Sequence, residues 1–310
     1  MSNQTEGYAL TRADAIPQPV IRLVLDGLTS DHSRRAYGKA LADFLDWYGQ
    51  QGKPGLNKAT VQAYKAVLQE SGLSPASVNL RMSAIRKLAQ EAADNRLMDQ
   101  SLANGIAKVK GVKQQGVRAG NWLTREQAQA LLDLPDTTTL KGNRDRAILA
   151  VMIGAGLRRS EVAALTFDHI QQREGRWVLV DLVGKGNRVR TVPIPSWTKA
   201  AIDAWASAAG IGNGYIFRAV NKGDRLSGGE LTPQAVRDVV NSYGARLGIA
   251  LAAHDLRRTF ARLAHKGGAG LDQIQLSLGH ASIKTTERYL GVAQNLHDAP
   301  CDRLGLTLQQ

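Results

Sequence analysis

Four segments in the second half of the chain hold residues that could handle a phosphodiester, and they arrive in a definite order. The first, GAGLRRSEVAAL at 154–165, sets Arg158 behind a Gly-Ala-Gly turn and three residues before Glu161. The second, VGKGNRVR at 183–190, lifts Lys185 between two glycines, whose missing side chains let a backbone approach an extended ligand closely. In the third, AHDLRRTFA at 253–261, His254 and Arg257 stand at i and i+3 and share one helical face. The fourth, LSLGHASIKTTERYLG at 276–291, places His280 after Leu-Gly and Tyr289 nine residues later. Arginine forks hold an oxyanion without deprotonating, histidine can take or donate a proton, and a tyrosine relieved of its proton is a nucleophile. Singly, each segment has a plainer reading: a surface Arg–Glu pair, a solvated turn lysine, a capped helix, a core tyrosine.

In this order the segments resemble the tyrosine recombinase, or integrase, family, whose catalytic domain carries Arg, Lys, His-x-x-Arg, Leu-Gly-His and a terminal Tyr. The likeness spans roughly residues 122–292, and the stretches TSDHSRRAYGKALADFLDWY and SPASVNLRMSAIRKL resemble the family's core-binding domain. The resemblance implies that Arg158, Lys185, His254, Arg257 and His280 activate a phosphodiester and that Tyr289 attacks it. On that reading the two arginines clamp the phosphate, His254 takes the phenolic proton, Lys185 protonates the leaving 5′-oxygen and His280 donates a hydrogen bond. Glu161 would orient one of the arginines.

The family further implies a site-specific DNA recombinase working through a covalent 3′-phosphotyrosine and a Holliday junction. It would serve a mobile element or resolve chromosome or plasmid dimers. Double-stranded DNA with paired inverted half-sites is the implied partner, bound by a homo-tetramer that is a monomer or weak dimer when free. No cofactor and no metal are implied. Two departures bear on subfamily: Arg258 stands where many relatives have His, and Tyr-Leu-Gly replaces the commoner Tyr-x-His. Two other readings compete, a type IB topoisomerase-like enzyme sharing the chemistry and a DNA-binding regulator without catalysis.

Composition points the same way. A formal net charge of +13 and a pI near 10.0 suit a polyanionic partner. Residues 1–115 carry 15 Lys+Arg against 10 Asp+Glu, and the remainder 25 against 17, so both halves are basic and no single tail holds the excess. Cys301 is the only cysteine, which excludes an intramolecular disulfide and fits a cytoplasmic protein. The polar N-terminus lacks an apolar signal core, and no apolar run is long enough to span a bilayer.

The elements that must position these residues follow from periodicity and caps. The expected fold is mainly α with a small β-sheet: an N-terminal all-α helical bundle followed by an α+β catalytic domain. After a disordered tail at 1–15, Ile21, Val24, Leu25 and Leu28 open a helical domain over 16–106. Its further stripes are Tyr37, Leu41, Phe44, Leu45 and Tyr48, then Val61, Tyr64, Val67 and Leu68, then Val78, Met82, Ile85 and Leu88. The faces left exposed offer Arg34, Arg35, Lys39, Arg81, Arg86 and Lys87 to DNA.

Residues 107–121, with three glycines and four basic residues, read as a flexible basic linker. The early helical start leaves no room for an extra arm-binding domain, a simple Xer-like layout. Thr124-Arg-Glu-Gln127 has the spacing of a capping box opening the catalytic domain, 122–292. Trp177–Leu182 and Val189–Ile194 pair as a hairpin around the glycine-rich turn, with helices around 195–208, after Thr232-Pro233 and from His254 to Tyr289. The tail at 293–310 is a candidate for exchange between protomers. Of seven tyrosines, Tyr8 lies in the first tail, Tyr37, Tyr48 and Tyr64 lie on stripes, and Tyr215 and Tyr243 have no histidine motif nearby. Tyr289 is left as the nucleophile.

Overall fold

The computed structural model describes residues 18–52, 55–113, 121–184 and 187–290, which form two compact units, Met1–Val117 and Arg118–Gln310. In its described residues the first unit has helices and no strand: α1 (Gln18–Asp26), α2 (Asp31–Gln50), α3 (Lys58–Glu70), α4 (Pro75–Asp94) and α5 (Gln100–Ala107). Side-chain caps start the helices: Ser30, Asn57, Ser74 and Asp99 each accept a backbone N–H, and Pro75 occupies the first turn of α4. The apolar stripes converge on one core around Leu41, Phe44, Tyr64, Met82 and Ile85. Phe44 meets Tyr64 edge-on at 5.1 Å, which accounts for these aromatic residues as packing. Val67 is a correction: it points off the α3 stripe and is 41% exposed.

Residues 108–113, expected to belong to a flexible linker, are instead tied to this unit. The Asn79 amide brackets Val112, accepting from its N–H at 2.7 Å and donating to its C=O at 2.9 Å. Val109 is buried, and Arg86 and Lys65 hold the carbonyls of Val109 and Lys110. Glycine and charge alone do not show that a segment is free, because a remote side chain can saturate its backbone.

The second unit combines α6 (Arg125–Asp133), α7 (Leu140–Gly154), α8 (Arg159–Ala163), α9 (Ser196–Ala209), α10 (Pro233–Arg246), α11 (Ala253–Lys266), α12 (Leu271–Leu278) and α13 (Ile283–Leu290) with two small antiparallel sheets. Both halves of the Thr124–Gln127 capping box form. The expected hairpin is β2 (Arg176–Val183) with β3 (Val189–Pro193), joined by a strand that the sequence reading lacked, β1 (Ile170–Arg173). The second sheet, β4 (Arg218–Val220) and β5 (Leu226–Glu230), was also absent from it; β5 is exposed throughout and too glycine-rich to alternate. Helix α7, buried on nearly every side, runs through the core with Trp205 and Phe217. Among the described residues no helix is long and apolar enough to cross a membrane.

Candidate active site

Two glycine turns and one packed helix bring the chemistry-bearing residues together. Helix α7 ends at the Gly-Ala-Gly turn, where Gly156 takes a φ of 61° and a Cβ would lie 2.6 Å from the Phe260 ring, so only glycine fits. The chain then delivers Arg158 as the residue preceding α8. Helix α12 ends at Gly279, again left-handed with a φ of 62°, and this turn aims His280 back toward α11. Helix α13 packs its buried Leu290 with Leu278 and Ala261, presenting Tyr289 to α11.

Tyr289 is the hub. Its Oη lies 2.5 Å from His254 Nε2, and both His254 and His280 meet its ring edge-on with centroids 5.2 Å away. Arg258 places its guanidinium 5.4 Å from the same ring centroid. His280 is oriented from behind by Thr286, 3.0 Å from its Nδ1. Arg257 is 1% exposed; its Nη1 donates to the Gly156 carbonyl at 2.6 Å and its Nη2 to the Leu278 carbonyl, so it staples the two glycine turns together. Arg158, Arg159, Arg237 and His254 line one open cleft. Lys185 and the tails at 1–15 and 293–310 lie outside the described residues.

Profile comparison matches residues 121–295 to the phage integrase family and residues 21–96 to the phage integrase N-terminal SAM-like domain. The tyrosine recombinase XerC of Pseudomonas putida is 33% identical over 269 residues, covering 84% of this chain and 85% of that protein. The chain belongs to the phage integrase family of tyrosine recombinases. The XerC of Myxococcus xanthus is 30% identical over 275 residues, covering 85% of this chain and 88% of its own. Two solved structures share the recombinase's fold. XerH bound to palindromic difH substrate in a post-cleavage complex has a TM-score of 0.67, 19% identity and coverage of 83% and 75% of the two chains. A lambda integrase (75–356) dimer bound to a COC′ core site has a TM-score of 0.66, 15% identity and coverage of 94% and 96%.

The recombinase's site is electrostatically lopsided. Desolvation pushes His254 and His280 down to about 4, with nearby arginine charges acting in the same direction, although the outer edge of His254 stays open to solvent. Burial raises Tyr289 above the usual phenol value against the opposing pull of Arg257, Arg258 and Arg158, and it lowers Arg257 to about 10. A neutral His254 with its own N–H on Nδ1 can accept the Tyr289 hydroxyl proton across this hydrogen bond. Burial alone would raise Glu161 too, but hydrogen bonds from Arg190 and the Arg158 amide, with both guanidinium charges, overcome it and hold the carboxyl below its ordinary range.

Sequence reasoning missed Arg190 in this network. It stood in the quoted hairpin motif without a role, because nothing local links it to Glu161 29 residues earlier. Arg159 and Arg237 were missed as well; only the fold brings α10 beside α8. In the helical unit, Arg34, Arg35 and Lys39 are exposed as expected, each held by a residue of the same region, Asp31 or Asp43. Arg81, Arg86 and Lys87 are a correction: they are half-buried, bonded to Asp43, the Val109 carbonyl and Glu91. Helix α4 packs against all four other helices of its unit and has little open face.

Proposed function

We propose that the recombinase cuts DNA by attack of Tyr289 on a phosphodiester held by Arg158 and Arg257, leaving a 3′-phosphotyrosine that a second 5′-hydroxyl resolves. The observation that carries this is the 2.5 Å approach of the Tyr289 hydroxyl to His254 Nε2, beside a deeply buried arginine, with His254 and Arg158 lining one open cleft. His254 is the general base, His280 a hydrogen-bond donor to the phosphate, and Lys185 the acid for the 5′-oxygen. A phosphate entering between the arginines cancels part of the field that depresses His254, so the base strengthens as substrate docks. The phosphotyrosine conserves the energy of the broken ester, so rejoining needs no nucleotide. We extend the reading to four protomers on two duplexes with inverted half-sites, in which the residues after 293 pass between neighbours. The test is a nicked suicide duplex carrying the target site: a covalent protein–DNA band is expected. Relaxation of any supercoiled plasmid without site preference would point to the topoisomerase-like reading, and binding without any adduct to a regulator.

Two further outcomes follow. Replacing the bridging 5′-oxygen with sulfur, a leaving group that hardly needs a proton, should restore most of the cleavage that Lys185→Ala loses. Equal defects on both substrates would remove Lys185 as the acid. Because His254 must be neutral to accept a proton and sits at about 4 in the free protein, kcat/KM for cleavage should hold from neutral pH through mild acid and fall only below the ordinary histidine range. An acid limb centred on the ordinary histidine value of about 6.5 would contradict this assignment.

A further inference from the structure

Arg190 is the most heavily committed arginine near the cleft that neither the sequence motifs nor the proposed reaction uses. Its side chain is 8% exposed, donates Nη1 and Nη2 to the two Glu161 oxygens at 2.9 and 2.8 Å, and donates Nε to the Ser277 carbonyl at 2.9 Å. Glu161 also accepts from the Arg158 amide and from Arg158 Nη1, both at 2.7 Å, so four donors saturate one carboxylate. Gly279, the turn residue before His280, packs so tightly on Arg190 that a Cβ would lie 2.9 Å from its Cδ. In the hairpin register Arg190, on β3, faces Leu182, on the strand that enters the hairpin turn. One side chain therefore ties the β2–β3 hairpin to the segment carrying Arg158 and to the turn before His280.

The charges make this more than packing. Paired with Glu161 alone, Arg158 would spend its cation on a carboxylate and present a neutral pair to the phosphate. With Arg190 present, two cations share one anion, and a net positive charge remains where Arg158 borders the cleft. A lysine could substitute only in part, because donors at three separate, fixed positions are needed and an ammonium is a single point. We propose that Arg190 is a positioning residue for strand cleavage: it neutralises and fixes Glu161 so that Arg158 keeps its orientation and charge for the phosphate, and it ties the β2–β3 hairpin to the turn before His280. The inference rests on the phosphate-clamp reading of Arg158.

The test is single-turnover cleavage of saturating suicide DNA by Arg190→Met, Arg190→Lys and the double variant Arg190→Met/Glu161→Gln, with half-site binding and thermal unfolding measured beside it. Arg190→Met should cleave about 100-fold more slowly, the scale set by displacing a group at a reacting centre, while binding stays within about threefold. Arg190→Lys, the milder change, should fold normally and still lose about tenfold, since one ammonium nitrogen replaces three donor nitrogens and cannot reach Ser277 and both Glu161 oxygens together. The double variant removes the carboxylate that would capture Arg158, and should recover about tenfold over Arg190→Met. A role in packing alone predicts no recovery, so a folded double variant no faster than Arg190→Met would overturn the inference. So would Arg190→Lys at wild-type rate, or loss of binding and melting temperature in step with cleavage. Arg158→Gln run in parallel separates the two levels: if it cleaves normally the clamp reading itself fails, whatever Arg190 does.

Discussion

Tyr289→Phe is expected to abolish the covalent adduct with suicide DNA while folding and site binding persist. The substitution removes one oxygen from a side chain whose ring is held between two imidazole edges and the Arg258 guanidinium, contacts that phenylalanine retains. What disappears is the hydroxyl 2.5 Å from His254 Nε2, the atom that the proposed reaction joins to phosphorus. The other described tyrosines have structural occupations. Tyr48 and Tyr64 are buried in the helical core and Tyr37 packs against it. Tyr243 is buried and donates to Asp145 at 3.2 Å, and burial plus that carboxylate push it up to about 12. Tyr215 forms a lone bridge with Thr166, and hydrogen bonding to Glu230 raises it as well. The measurement is a denaturing gel with end-labelled DNA, followed by peptide mapping of the wild-type adduct. A DNA-linked band persisting in Tyr289→Phe, or an adduct on another tyrosine, would sink the assignment.

Removing either arginine should cost about 10²–10³-fold in cleavage, the usual effect of deleting one donor to a charged transition state. The two variants should nonetheless differ in kind. Arg158 is partly open at the cleft, so Arg158→Ala is expected to fold and to bind DNA nearly as well as wild type, many other phosphate contacts supplying the affinity. Arg257 staples the Gly156 and Leu278 carbonyls from a buried position, so Arg257→Ala also strands two acceptors, each costing about 1–3 kcal/mol. Its melting temperature should drop where that of Arg158→Ala does not, and Arg257→Lys should recover part of the stability without the rate. Cleavage near wild-type rate in a folded Arg158→Ala or Arg257→Lys would remove that residue from the clamp. Equal melting temperatures for the two alanine variants would show that the Arg257 staple contributes nothing to the fold.

What the sequence determined by itself is everything written over short range. Apolar stripes at helical spacing, Ser74-Pro75, the Thr124–Gln127 box, the hairpin around its glycine turn and the ordered motifs from Arg158 to Tyr289 are patterns within a few residues, and family membership rests on that order. Stripe logic failed where burial is not one-sided. Helix α7 is enclosed on nearly all faces, so it has no polar side to set off a stripe, and α4 sits at the centre of its bundle, which half-buries the basic residues expected on its surface. The strands β1, β4 and β5 are short and depend on partners for their shape. The tertiary structure alone decided which distant groups meet. Tyr289 reaches His254 across 35 residues, Arg257 reaches the Gly156 carbonyl across 101, and Arg190 reaches Glu161 across 29. Such pairings depend on where helices pack and how turns such as Gly156 and Gly279 redirect the chain. A charge whose partner is chosen by packing leaves no periodic mark in its own neighbourhood, which is why Arg190 looked like one more basic residue in a basic protein.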